Sequence, residues 1–386
     1  MPHTCAERAI NIADLKELAR RRLPRILFDW VEGGAEDERG LFRNEAQFAR
    51  YRLLPRYLEN VERIDLATTL FGRRFDAPFG IAPTGFAGLL RPDADLMLAR
   101  AAAAANIPFI LSGASTSSIA KAAAAGNGNV WYQLYPPRDA ITCDDLIGRV
   151  RAAGVDTLVY TVDVPGEAKR ERDMRNGFDL PLAITPRLVA DVLSHPRWLA
   201  GYLSNGGLPV MENWAPYAAT NADAVAVAQT MKAHYFATQT WEDFQRIRDL
   251  WRGKLLVKGI MHPADGARAA RLGADGVVVS NHGGRQLDAA PTALEILPQI
   301  RAAVPAGHAV MLDGGFRRGA DIVIAKCLGA DFVFLGRATL YGAIAGGEPG
   351  AVRAIAIMRD EMMRIMAQIG RQSVPALDDS CLMTVG

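Results

Sequence analysis

Short apolar runs rich in β-branched residues recur along the chain, at 79–83, 108–112, 130–134, 157–163, 255–258, 276–280, 309–313 and 332–336. Glycine or polar turn residues follow each run, and alanine-rich stretches with helical spacing lie between them, as at 93–105, 144–153, 263–272 and 319–328. A strand-length run followed by a helix, repeated, predicts parallel strands joined by right-handed crossovers. Eight such runs predict an α/β fold of the closed (β/α)8, or TIM-barrel, type. An open doubly wound sheet would need a strand leading into G-x-G-x-x-G, and none does. The nearest approach, Gly126-Asn127-Gly128, precedes a strand instead of following one.

Two segments interrupt the repeat. Residues 1–78 read as an N-terminal helical extension whose Phe28, Trp30, Phe42 and Phe48 either cover the barrel's bottom or overhang its mouth. A long gap separates strands four and five, and its part at 179–217 reads as an insertion in a barrel domain that spans residues 1–386. That insertion carries Leu182, Ile184, Leu188, Val189, Val192, Leu193, Trp198, Leu199, Tyr202, Leu203 and Met211 among Arg187, His195 and Arg197. Such a stretch either lies in a membrane surface or packs as a lid on its own protein.

Composition narrows the class. The 44 basic and 42 acidic residues nearly cancel, so the chain lacks the positive field of a nucleic-acid binder. Cys5, Cys143, Cys327 and Cys381 form no C-x-x-C pair, which speaks against a zinc ribbon, implies no metal site and fits a reducing, cytoplasmic setting. No apolar run is long enough to span a bilayer.

A barrel does its chemistry at the C-terminal ends of its strands. There the chain places Thr84, Ser112, Gln133, Tyr135, Asp163, Lys258, Ser280, His282, Arg285, Asp313 and Arg337. The densest cluster is Ser280-Asn281-His282-Gly283-Gly284-Arg285-Gln286-Leu287-Asp288. A histidine that moves protons near neutral pH and a guanidinium matched to a carboxylate suggest proton abstraction from an acid substrate. Asp163 ends strand four, where a carboxylate would fix a histidine's tautomer. On spacing alone Arg170, in Lys169-Arg170-Glu171-Arg172-Asp173, belongs to a solvated charge run. Asp313-Gly314-Gly315-Phe316-Arg317-Arg318-Gly319 and Gly336-Arg337-Ala338-Thr339 offer freed amides, arginines and helix starts suited to a phosphate, or else a purely structural glycine turn. Lys258 supplies either a Schiff base or a fixed positive charge.

Taken together, Ser280 to Asp288, Leu256-Val257-Lys258-Gly259, Leu312 to Gly319 and Gln133-Leu134-Tyr135 resemble the FMN-dependent 2-hydroxy-acid dehydrogenases and oxidases, from about residue 14 to residue 370. Within that family, Ala82-Pro83-Thr84-Gly85, Arg170 to Asp173, His195-Pro196-Arg197-Trp198 and Gly336 to Gly342 are similar to the membrane-associated branch that oxidises (S)-mandelate. Quinone-linked L-lactate dehydrogenases share several of these features.

The resemblance implies that Ala82, Pro83, Thr84, Ser112, Gln133, Thr161, Lys258 and Ser280 line FMN. It implies Asp313 on the ribityl chain and Gly315, Arg317, Gly336 and Arg337 on the phosphate. Lys258 then supplies positive charge at the flavin's N1/O2 edge, so the Schiff-base role falls away. His282 is implied as the base, Asp163 as its partner, Arg285 and Arg170 as the carboxylate clamp, and Tyr135 as a further substrate contact. Where the family has Tyr-Asp-Tyr this chain has Phe28-Asp29-Trp30, so Trp30 takes the place of a substrate-facing tyrosine. Gly85 stands where dehydrogenases have glycine and oxidases alanine.

The expected activity is oxidation of an (S)-2-hydroxy acid, aromatic or bulky, with electrons passed to a quinone or other acceptor. The alternatives are an L-lactate dehydrogenase and a soluble oxidase that forms hydrogen peroxide. Peripheral attachment to the inner face of the cell membrane and a homotetramer complete the expectation.

Overall fold

The computed structural model describes residues 5–179, 184–235 and 238–385. Leu182 and part of the predicted insertion lie outside them. Eight parallel strands close into a barrel: Phe79–Ile81 (β1), Phe109–Leu111 (β2), Val130–Leu134 (β3), Thr157–Thr161 (β4), Lys254–Ile260 (β5), Gly276–Val279 (β6), Ala309–Asp313 (β7) and Phe332–Leu335 (β8). All eight fall within or across the predicted runs. The helix expected at 144–153 begins earlier, at Ala140, because Asp139 accepts from the Ile141 and Thr142 amides and caps it there.

The strand period of two sorts the barrel residues onto two faces. Ile110, Trp131, Val159, Leu256, Val278, Met311 and Phe334 join one cluster inside the barrel. Their neighbours Phe109, Leu111, Tyr132, Leu158, Val257, Val277, Leu312 and Val333 pack against the surrounding helices. Two residues further toward the C-terminal ends, the inward parity reaches Ser112, Gln133, Thr161, Lys258, Ser280 and Asp313. The polar ends of the strands are therefore the top layer of the barrel's own interior.

The extension is not wholly helical. Helices Ile12–Arg22 (α1), Arg25–Glu32 (α2) and Arg39–Ala46 (α3) are followed by Tyr51–Leu53, which pairs antiparallel with the C-terminal strand Leu382–Thr384. A hairpin of Thr68–Leu70 and Arg73–Phe75 comes next. Leu70 and Phe75 join the interior cluster, with Phe75 edge-on to Trp131 and Phe332, so this hairpin closes the bottom. The helices overhang the mouth: the Gly40 amide donates to Asp288 at 2.7 Å, and Asn44 exchanges two amide hydrogen bonds with Asn281.

The described part of the insertion is both packed and exposed. Trp198 is buried and donates to the Leu89 carbonyl at 3.0 Å, while Trp214 donates to the Gly113 carbonyl at 2.8 Å. On the helices Pro186–Leu193 and Pro196–Ser204, Leu193 and Leu203 remain 64% and 63% exposed. Among the described residues no helix is long and apolar enough to cross a membrane.

Candidate active site

The loop after β6 turns through three consecutive residues of positive φ: His282 (57°), Gly283 (65°) and Gly284 (76°). Glycine is required at 284, because a Cβ there would lie 2.5 Å from the Leu41 amide nitrogen, where α3 crosses the loop. A histidine in the left-handed region carries strain of about 1–3 kcal/mol. Its surroundings hold it there. The His282 amide donates to Ser280 Oγ at 3.0 Å, and the ring Nδ1 lies 2.9 Å from Asp163 Oδ1. Burial opposes ionisation of Asp163, but the charges of His282 and Lys258 outweigh it and hold the carboxyl below its ordinary range. With Nδ1 engaged, Nε2 is the nitrogen free to exchange a proton with a substrate.

Beneath this pair, Lys258 Nζ donates to Ser280 Oγ at 2.9 Å and pairs with Asp313 Oδ2 at 3.0 Å, while Ser280 Oγ donates to Asp313 Oδ1 at 2.5 Å. Lys258 and Asp313 are buried, and removing one partner of such a pair costs about 3–5 kcal/mol. A second chain joins Ser112 Oγ to Gln133 Oε1 at 3.1 Å and Gln133 Nε2 to Thr161 Oγ1 at 3.1 Å. These bonds fix the orientation of groups that no local sequence feature ties together.

A cavity of about 870 Å³ opens above them. Ala82, Pro83, Thr84, Ser112, Lys258, Asp313 and Gly315 line its floor and the side toward β7. Arg317, Gly336 and Arg337 line it where the helix Arg337–Gly346 begins, and Trp30, Tyr135, Arg170, His282 and Arg285 face the open end. Gln133, Thr161, Ser280 and Asp163 do not line it; they stand behind the lining residues through the bonds just described. Every residue expected at the site is thus brought to the mouth or directly beneath it. Arg170, which spacing alone assigns to solvent, is half-buried against the Arg285 carbonyl (3.3 Å) and Gln286 (3.2 Å).

The arginines also hold the overhanging helix. Arg285 Nη1 donates to the carbonyls of Trp30 (2.7 Å) and Gly33 (2.6 Å), and Arg337 donates to those of Val31 (2.7 Å) and Gly33 (2.9 Å). Cations at the carbonyl end of α2 complement its dipole. Trp30 is thereby set over the cavity, with the Arg285 guanidinium 5.4 Å from its ring centre. Phe178 stacks on Trp30 at 5.6 Å and Phe86 meets it edge-on at 5.9 Å.

Phe86, Met174, Phe178 and Met231 line the cavity and are not anticipated from the sequence, because none lies in a strand-end motif. Asp173 also lines it. Burial raises its carboxyl against the opposing charges of Arg285 and Arg170, and its Oδ1 has no hydrogen-bond partner. Its place in the Arg170 to Asp173 run is the one signal that points to it.

Residues 19–384 match the FMN-dependent dehydrogenase family. The (S)-mandelate dehydrogenase of Pseudomonas putida is 40% identical over 381 residues, covering 99% of this chain and 95% of the relative. The L-lactate dehydrogenase of Caulobacter sp. (strain K31) is also 40% identical, over 372 residues, covering 96% of this chain and 98% of the relative. Among solved structures, the monotopic membrane protein (S)-mandelate dehydrogenase superposes with a TM-score of 0.94 at 40% identity, over 98% of this chain and 100% of its own. The chain belongs to the FMN-dependent 2-hydroxy-acid dehydrogenase family.

The cavity fits that cofactor. Thr84 Oγ1 is buried without a hydrogen-bond partner at its edge. A Cβ on Gly336 would meet only Ala82, at 3.9 Å, so the backbone there stands open to a close-fitting ligand. Arg317 and Arg337, both half-buried, line the cavity at the same point, which supplies the positive charge a phosphate requires.

Proposed function

We propose that this protein oxidises an (S)-2-hydroxy acid with an aromatic or bulky side chain, of the mandelate type, to the 2-oxo acid and delivers the electrons to a membrane quinone. The single observation that carries the reading is the His282–Asp163 contact at 2.9 Å, set in one cavity with Arg170, Arg285 and the Trp30–Phe178–Phe86 wall.

In this reading Arg285 and Arg170 hold the substrate carboxylate, and Tyr135 hydrogen-bonds a polar group of the substrate. His282 takes a substrate proton at Nε2, and Asp163 keeps the imidazole in the required tautomer and stabilises its charged form. Thr84, Ser112 and Lys258 hold the flavin ring, braced from behind by Gln133, Thr161 and Ser280, while Asp313 holds the ribityl chain and Gly315, Arg317, Gly336 and Arg337 the phosphate. Bound FMN supplies a two-electron acceptor. The aromatic wall excludes water and favours an aromatic side chain by stacking.

The exposed apolar residues of the insertion, Ile184 at 84% exposure together with Leu193 and Leu203, support peripheral attachment to a membrane, where a quinone is available. The equal identity to an L-lactate dehydrogenase favours lactate as the second reading.

Anaerobic addition of mandelate, lactate, glycolate and longer hydroxy acids, read as bleaching of the flavin's visible absorbance, tests the substrate. Rapid bleaching by (S)-mandelate and slow bleaching by lactate is expected, and the reverse order would overturn the aromatic assignment. Reoxidation of the reduced protein by oxygen faster than by a quinone analogue would overturn the acceptor.

A further inference from the structure

A second cavity, of about 390 Å³, lies at the opposite end of the barrel, where the N-terminal ends of β3 to β6 meet the bottom hairpin. Trp131 of β3, Thr157 at the head of β4, Lys254 at the head of β5 and Asp275 just before β6 line it, with Phe71 and Arg73 of the hairpin. Small-molecule sites commonly enclose roughly 300–1,000 Å³. None of the residues around this cavity lines the one at the mouth.

Its walls are aromatic and fixed. Phe71 has a φ of 53°, in the left-handed region, where a bulky side chain is strained and a two-residue hairpin turn ordinarily has asparagine or glycine. Contacts hold the ring there: its centre lies 6.2 Å from that of Trp131 and 5.6 Å from Lys254 Nζ. The Arg73 guanidinium likewise lies 5.2 Å from the Phe75 ring centre. Across the cavity, the Lys254 amide donates to the Asp156 carbonyl at 2.8 Å, and a Cβ on Gly253 would lie 2.2 Å from that same oxygen. The rim segment Arg252 to Lys254 is therefore pressed against the chain that leads into β4.

The charge around it is unbalanced. Lys254 Nζ and Arg248 Nη1 share one carboxylate, Asp275, at 2.9 and 3.1 Å. Arg73 donates to the Gly128 carbonyl and to Asn129 Oδ1, both neutral. Arg252 is exposed at the rim and forms no ion pair among the described residues. The other carboxylate, Asp156, accepts from Thr157 Oγ1 at 2.8 Å. The cations Arg73, Arg248, Arg252 and Lys254 thus face only Asp156 and Asp275, a surplus that attracts an anion, while the two carboxylates oppose a multiply charged one. We infer that the cavity is a binding site for a small aromatic carboxylate, separate from the substrate site. Its ring lies against Phe71 and Trp131, and its carboxylate meets Arg252 with Lys254 beside it.

The test uses the FMN-loaded protein with benzoate as the probe. Equilibrium dialysis of radiolabelled benzoate counts all that binds, and the flavin difference spectrum counts only what binds at the mouth. The expected result is one benzoate per chain that the flavin does not report. Arg252→Glu and Phe71→Gly should each weaken that benzoate by about tenfold or more and leave the flavin spectrum unchanged. Glycine adopts the φ at position 71 freely, so Phe71→Gly removes the ring without disturbing the turn, and Arg252 is exposed. Benzoate bound only where the flavin reports it, or a silent benzoate undiminished in both variants, would overturn the site. Displacement of the silent benzoate by an equal concentration of inorganic phosphate would overturn the aromatic class of ligand.

Discussion

A Cβ on Gly259 would lie 2.5 Å from the Asp163 Cβ and 2.6 Å from its carboxyl carbon. The end of β5 and the loop after β4 therefore meet at backbone contact, with the Val162 amide donating to the Lys258 carbonyl at 3.0 Å. This close approach, together with a φ of 100° at Gly259, sets the Asp163 carboxylate against His282.

Gly259→Ala should displace Asp163 and strain the backbone by about 1–3 kcal/mol. A shift of about 1 Å at a positioned group slows a reaction by roughly 10²-fold. Anaerobic stopped-flow flavin reduction and a thermal melt together check this. Unchanged reduction would mean that the Gly259 contact does not position the pair.

His282→Asn should retain FMN, because the Lys258–Ser280–Asp313 network remains, and should lower the rate of flavin reduction by about 10² to 10⁴. The visible spectrum reports the bound cofactor and stopped flow reports the rate. Reduction at near-normal speed would remove His282 from the base role.

Asp163 also predicts a pH dependence. Its carboxyl is depressed below the ordinary 3.8 in the folded protein, so near that pH the unfolded chain binds more protons than the native one. Its stabilising contribution is complete above the ordinary value and is lost as pH falls through the lower native one. Urea midpoints measured from pH ~5 downward should therefore fall more steeply for the parent than for Asp163→Asn. Parallel acid limbs would refute the linkage.

Leu193→Asp combined with Leu203→Asp should release the protein from membranes and leave flavin reduction within about twofold, since exposed substitutions away from packed features change stability by only about 0.5 kcal/mol. Sedimentation with vesicles checks it. Charging these positions is a cleaner test than excising the segment, because Trp198 and Met211 of the same stretch are buried. Undiminished sedimentation would exclude this face as the contact.

Much of the barrel was legible because strand parity is a local property of the backbone. Once 110, 131, 256 and 311 are inward, the residues two positions on must also be inward, and they are Ser112, Gln133, Lys258 and Asp313. The motif around His282 was legible because its chemistry is contiguous. The bottom hairpin was not: Leu70 and Phe75 lie before the first repeat and have no period that separates a plug from a helical extension.

The chain alone thus determined the eight-fold alternation and the inward polar layer, because each depends on neighbours within a few residues. Only the closed structure decided that Trp30, Phe86 and Phe178 share one wall and that Arg285 and Arg337 clamp α2. Those meetings join residues from different loops and helices. Their adjacency follows from how the barrel closes and which surfaces then pack, a global minimum that no local period encodes.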